Sequence, residues 1–265
     1  MSVNQTLKPR TPISWPNKFD VFGVFISATT YEEAVPCILQ AANEKRFGAV
    51  SALAVHGLMV GAQDKEFKSH LNDFDIVAPD GQPVRTALNL LYDTRLRQRV
   101  YGPELMLRLC MQSMEQGVGV YLYGSTKPVI DALYRNLMKR FPKLRIVGHE
   151  PSFFRPLTYE EDIALVERIN KSGAGILFVG LGCPLQEKFA HAHKDKIQAV
   201  QVCIGAAFDF HGGNKRMAPS WMQRNGLEWL FRLTQEPRRL WRRYLTTNSN
   251  FLFMLFLQWS GIKKF

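Results

Sequence analysis

Four turns in this 265-residue chain combine small residues with groups able to do chemistry, and each follows a short apolar run. The first is Pro79-Asp80-Gly81, after Ile76-Val77-Ala78. A carboxylate on a glycine-relieved turn at a strand end is a candidate general base, although Pro-Asp-Gly is also ordinary turn chemistry. The second is Tyr123-Gly124-Ser125-Thr126-Lys127-Pro128. Gly124 and Ser125, followed by a lysine at a helix start, suit a phosphate, yet the spacing matches neither the P-loop nor the dinucleotide fingerprint. The third, Gly180-Leu181-Gly182-Cys183-Pro184-Leu185-Gln186-Glu187, allows close backbone approach to a ligand with Gln186 reaching in; a tight strand-to-helix loop would look the same. The fourth, Gly205 to Gly213, places small residues beside Asp209, as in a pocket wall or a hinge.

Other clusters are set aside. Asp73-Phe74-Asp75 has the D-x-D spacing used to hold divalent ions, but it precedes the apolar run and so falls at the wrong end of that strand. His191 and His193 stand two apart on an expected helix, which turns them to different faces and leaves a solvated surface as the plain reading. No divalent metal or other cofactor is expected. Cys37, Cys110, Cys183 and Cys203 are scattered without a C-x-x-C pair, the pattern of reduced thiols in a cytosolic protein.

These turns need a scaffold that gathers strand ends at one edge. Apolar runs at 49–55, 76–78, 118–123, 144–147, 175–179 and 199–204 alternate with helical patterns at 83–91, 103–116, 128–141, 159–171 and 186–196. That alternation predicts an α/β fold: a Rossmann-like, mainly parallel sheet with helices on both faces and ligands at the carboxyl ends of its strands. Residues 19–27 predict a short hairpin or edge strand, and 31–45 a first helix. With 46% apolar and 22% charged residues, disorder is expected only in a flexible N-terminus over 1–18. The α/β catalytic domain is then 19–213, followed by an appendage over 214–265 in which 219–244 reads as helices broken at Pro237.

That appendage holds ten Lys/Arg against Glu228 and Glu236, a net +8 of the total +11, with Trp221, Trp229, Trp241 and Trp259 among the charges. Arginine grips phosphate bidentately and tryptophan favours the level of lipid headgroups, so an anionic membrane surface is the expected partner. No run reaches the roughly twenty apolar residues that span a bilayer; Phe251–Leu257 suits an interfacial segment, and the start of the chain lacks a signal-peptide core. A nucleic-acid-binding protein is the main rival, opposed by charge confined to an aromatic tail. A dinucleotide-dependent oxidoreductase is a second, opposed by the absent glycine fingerprint.

Four stretches together resemble the WecG/TagA/CpsF family, glycosyltransferase family 26. They are D-I-V-A-P-D-G at 75–81, R-V-Y-G-P-E-L-M at 99–106, F-V-G-L-G-C-P-L-Q-E-K at 178–188, and the long block from Phe208 to Tyr244. The resemblance implies an inverting transfer of a sugar from a UDP donor to a saccharide on a membrane polyprenyl diphosphate, at the inner face of the bacterial plasma membrane. It implies Asp80 as general base, with Arg99 and Gln186 facing the donor or the reacting groups. Arg232, Arg239 and Arg242 would close over the site and meet the lipid diphosphate. Donor contacts are expected from Gly124, Ser125, Gly180, Gly182, Gln186 and Asp209. Where many members carry Thr and Asn, this chain has Ala52 and Ala54. The pattern looks more like the exopolysaccharide branch, which contains β-1,4-glucosyltransferases, so glucose is the expected donor sugar. Transfer of N-acetylmannosamine or its uronic acid is the alternative. Oligomeric state, including a homo-oligomer, stays open.

Overall fold

In the computed structural model of the chain, residues 12–265 are described, the side chains of Arg239 and Arg243 excepted. Six parallel strands form the central sheet: β3 (Gly48–Leu53), β4 (Ile76–Pro79), β5 (Val120–Gly124), β6 (Ile146–Glu150), β7 (Ile176–Gly180) and β8 (Val200–Cys203). Their order is β4-β3-β8-β7-β5-β6. Every residue of β4, β5, β7 and β8 is buried, as expected where helices cover both faces and strands read as continuous apolar runs. Ahead of the sheet, β1 (Lys18–Val21) and β2 (Val24–Ser27) pair antiparallel as a separate hairpin, turned by Phe22 and Gly23 at positive φ.

Two cores flank the sheet. One packs α1 (Tyr31–Asn43), α5 (Gly102–Gln116), α6 (Lys127–Arg140) and α9 (Gly205–His211) on one face. The other packs the hairpin with α2 (Val55–Gln63), α3 (Lys65–Asn72), α4 (Gln82–Tyr92), α7 (Tyr159–Lys171) and α8 (Leu185–Ala192). The C-terminal segment adds α10 (Ser220–Arg224), α11 (Glu228–Gln235) and α12 (Pro237–Trp259), with Pro237 in the first turn of α12, where its missing N–H is not needed.

The structure departs from the sequence reading at several points. Neither α2 nor α3 was expected between β3 and β4. Gly57 and Gly61 weaken the helical signal, but a Cβ at Gly57 would lie 2.4 Å from a Leu53 methyl and one at Gly61 2.8 Å from a Leu71 methyl, so close packing requires both glycines. The edge strand β6 starts two residues and ends three residues later than the apolar run 144–147, because its last residues, Gly148-His149-Glu150, are not apolar. Of the N-terminus expected to be flexible, residues 1–11 lie outside the described residues, while Ile13 and Trp15 pack against the first core. His193 is buried at 5% exposure instead of solvated, its ring nitrogens lying 2.8 Å from Phe189 O and from Asp162 Oδ1. It also caps α8, which ends sooner than the pattern over 186–196 suggested.

The apolar run 251–257 divides by helical phase. Phe251 and Leu255 are buried in the second core, with Phe251 edge-on to Phe22 at 5.6 Å, while Leu252, Phe253, Phe256 and Trp259 are exposed. Among the described residues no helix is long and apolar enough to cross a membrane.

Candidate active site

Asp80 stands at the carboxyl end of β4, where Gly81 caps α4 and Pro83 occupies its first turn. Its amide donates to Leu53 O at 3.2 Å, and its Oδ1 accepts from the Gly102 amide at 3.0 Å. The backbone is therefore held from β3 and the side chain from α5. Burial pushes its carboxyl up to about 6, with Arg99 pulling it down, Glu228 raising it further, and the Gly102 amide and Arg232 again pulling down. A carboxylate that titrates near neutrality suits proton abstraction at physiological pH.

Two cavities meet at this acid. A cleft of about 460 Å³ runs along the strand ends past Ser125, Gly180, Gly182, Gly205 and Asp209. A smaller pocket of about 150 Å³ lies under the C-terminal segment, walled by Trp229, Tyr244, Thr247 and Asn248. Ala54, His56, Asp80 and Arg232 line both. Ala54 is also the N-cap of α2 and has no side-chain oxygen, so the first-turn amides of that helix lack a side-chain cap beside the cleft.

The structure brings most of the expected donor residues to the larger cleft. Ser125, Gly180, Gly182, Gln186 and Asp209 line it, whereas Gly124 does not. Gly124 has φ +126 and a Cβ there would fall 2.6 Å from the Gly180 backbone, so its role is to let β5 and β7 end side by side. Gln186 is buried and its amide is committed to the protein: Oε1 accepts from the Gly182 and Gly205 amides at 3.2 and 2.9 Å, and Nε2 donates to Glu187 at 2.8 Å. These bonds brace the two loops that floor the cleft, which Gln186 also lines. Asp209 pairs with Lys215 at 3.3 Å, and Lys215 reaches Glu236 at 2.9 Å, joining α9 to the C-terminal helices. Glu187, fully buried and bonded by Ser51 Oγ at 2.9 Å, was not singled out from sequence; burial holds its carboxyl above the usual range.

Around Asp80 the arginines differ in kind. Arg99 makes a short ion pair with Glu228 of α11 and lies over the Tyr101 ring at 4.2 Å. Desolvation opposes its charge, but Asp80 and Glu228 together hold it above the usual arginine range. Glu228 also accepts from Tyr101 Oη at 3.1 Å and is 8% exposed. Sequence reasoning counted this acid only against the charge of the tail; its standing as one of two acids among ten cations was the available signal. Arg232 reaches the cleft, the pocket and the Phe210 ring, at 5.9 Å. Arg242 is exposed on α12 beside Trp241, at 5.1 Å, and lines neither cavity. The expectation for the Arg239 side chain lies outside the described residues.

At the opposite edge of the sheet, Asp73 pairs with Lys194 at 3.2 Å and Asp75 accepts from the Ala49 amide at 2.9 Å. Among the described residues no group of three or more His, Cys, Asp or Glu stands where it could hold a metal ion.

A parallel sheet with an acid between two cavities at its carboxyl edge has the layout of an α/β enzyme site. The chain belongs to the glycosyl transferase WecG/TagA/CpsF family, whose model matches residues 19–264. It is 31% identical over 206 residues to an N-acetylglucosaminyldiphosphoundecaprenol N-acetyl-beta-D-mannosaminyltransferase of Bacillus subtilis (strain 168), covering 77% of each chain. An enzyme of the same name from Bacillus spizizenii (strain ATCC 23059 / NRRL B-14472 / W23) is 32% identical over 185 residues, 69% of each chain. The protein is thus a glycosyltransferase.

Proposed function

We propose that the chain transfers an N-acetylhexosamine of the N-acetylmannosamine kind, with inversion, from a UDP-linked donor to a sugar on a polyprenyl diphosphate. The observation that carries this reading is the position of Asp80 at the junction of the two cavities, supported by the relatives' shared activity. In this reading the donor occupies the larger cleft and the acceptor sugar the smaller pocket. The acceptor hydroxyl gives its proton to Asp80 as its oxygen bonds to the donor C1, and the C1–phosphate bond breaks to release the nucleoside diphosphate. Arg232 and the uncapped first turn of α2 meet the leaving group's charge without a metal. Residues 214–265 act as a membrane-seated cover: the exposed face of α12 enters the headgroup region and Arg238, Arg242, Lys263 and Lys264 meet anionic lipid at the inner leaflet.

A second reading, glucose as the donor sugar in exopolysaccharide assembly, is favoured by one observation. Ala52 and Ala54 present methyl groups to the larger cleft, so this wall has no side-chain partner for an acetamido group. A panel of UDP-N-acetylmannosamine, UDP-N-acetylglucosamine and UDP-glucose, tested with N-acetylglucosaminyl- and glucosyl-diphosphate-lipid analogues, decides between them. Turnover with UDP-glucose alone would overturn the first reading, and turnover with none of the donors would overturn both.

A further inference from the structure

We infer that Glu228 is a positioning residue for the transfer centre: it engages the Arg99 guanidinium, keeps it from pairing with Asp80, and so completes the general base only when α11 is docked against the sheet. This deepens the proposed function and rests on Asp80 being its base.

The geometry is specific. Asp80 has its hydrogen bond from the Gly102 amide, and among the described residues the ion pair of Arg99 is made with Glu228. Both members of that pair are largely buried, with side chains 12% and 11% exposed. Tyr101 fixes the arrangement twice, by lying under Arg99 at 4.2 Å and by donating to Glu228 at 3.1 Å. Tyr101 is in turn held by its amide, which donates to Tyr31 Oη at 2.8 Å. The two partners are 129 positions apart in sequence, Glu228 lying on α11, so the contact exists only with the C-terminal segment in place.

Chemistry then says what Glu228 prevents. A buried guanidinium without its carboxylate is costly and turns to the nearest other anion. That anion is Asp80, whose charge Arg99 already feels. A carboxylate engaged by arginine is a weak base, depressed by about one to three pH units. The other groups facing this centre are Tyr31 from α1, His56 from α2, Glu104 from α5 and Arg232 from α11. None of them offers Arg99 a second carboxylate as close to the reacting edge, since Glu104 is bonded by Arg108 at 2.9 Å.

The test is a titration of Asp80 in the full chain labelled with ¹³C at aspartate carboxyls, the resonance being assigned by its absence from Asp80→Asn. In the parent protein it should titrate near 6. Glu228→Gln should move it down by about one unit, and with it the acid limb of the kcat profile, while the donor KM stays unchanged. Glu228→Asp keeps the charge but shortens the reach, and should also move the titration down; it serves as the second variant if Glu228→Gln fails to fold. In an Arg99→Met background the Glu228→Gln shift should shrink to less than half. An unshifted Asp80 resonance in both Glu228 variants, or an equal shift without Arg99, would overturn the inference. The titration needs no sugar substrate, so a failure of the donor assignment would show separately, as absent turnover in the parent enzyme.

Discussion

The Asp80 carboxylate accepts a hydrogen bond from the Gly102 amide at 3.0 Å, which ties the end of β4 to the first residue of α5. The acid is therefore not on a free turn. It is fixed at the boundary of two cavities, while burial keeps its proton affinity near neutrality.

Asp80→Asn should lower turnover by about a hundredfold or more with little change in donor binding, measured by steady-state kinetics and donor titration. The parent enzyme should lose activity as pH falls through about 6. Stability should change in the opposite sense. A carboxyl raised on folding contributes stability that is fully present below the unfolded value of 3.8 and is lost as pH rises through about 6. The substitution should accordingly raise the melting temperature at pH 8 more than at pH 4; an equal shift at both would detach Asp80 from this linkage.

Transfer should survive EDTA. The acids of 73–75 are engaged by Lys194 and the Ala49 amide at the far edge of the sheet, and Arg232, which lines both cavities, is the proposed partner of the leaving group's charge. Loss of activity with EDTA and recovery with Mn²⁺ or Mg²⁺ would show that a metal enters the reaction.

Arg232 and Arg242 should separate in their effects. Arg232→Ala should cut turnover by about a hundredfold even on a short-chain, water-soluble acceptor, because Arg232 lines both cavities. Arg242→Ala should leave that reaction nearly intact and weaken binding to anionic vesicles, most visibly at low salt. Equal loss on the soluble acceptor would place Arg242 in the transfer site.

The two faces of α12 give a further contrast. Phe251, 2% exposed, packs on Phe22, so Phe251→Ala should cost about 3–5 kcal/mol in denaturant unfolding. Phe253 is 62% exposed, and Phe253→Ser combined with Phe256→Ser should leave stability almost unchanged while reducing vesicle binding. Undiminished binding would shift the membrane contact to another surface.

What was legible in the sequence follows from range. The parallel strands announced themselves because both faces are buried, and Asp80 was visible because a turn residue after such a run must lie at the carboxyl edge. Helix α2 was hidden by Gly57 and Gly61, whose reason is contact with Leu53 and Leu71 side chains, and α3 is only eight residues long. Glu228 stood out only as one of two acids among ten cations, because its place beside Asp80 depends on Arg99, far away in sequence. Gln186 was found, but its commitment to Gly182, Gly205 and Glu187 could be seen only once three loops were placed together.

Helix α12 has 23 residues, a rod of about 35 Å at the usual rise of 1.5 Å per residue. One stretch of it, Tyr244 to Asn248, walls the smaller pocket, and the next turns carry the outward Leu252, Phe253 and Phe256. Wall and outward face thus belong to a single rigid piece, and their separation is set by helix pitch. With the outward face seated on a bilayer, as proposed, that spacing becomes a stand-off height for Asp80. Under that proposal an acceptor is served when its reactive hydroxyl rises to that height above its lipid anchor, and the rod would screen acceptors by reach before any pocket inspects their shape.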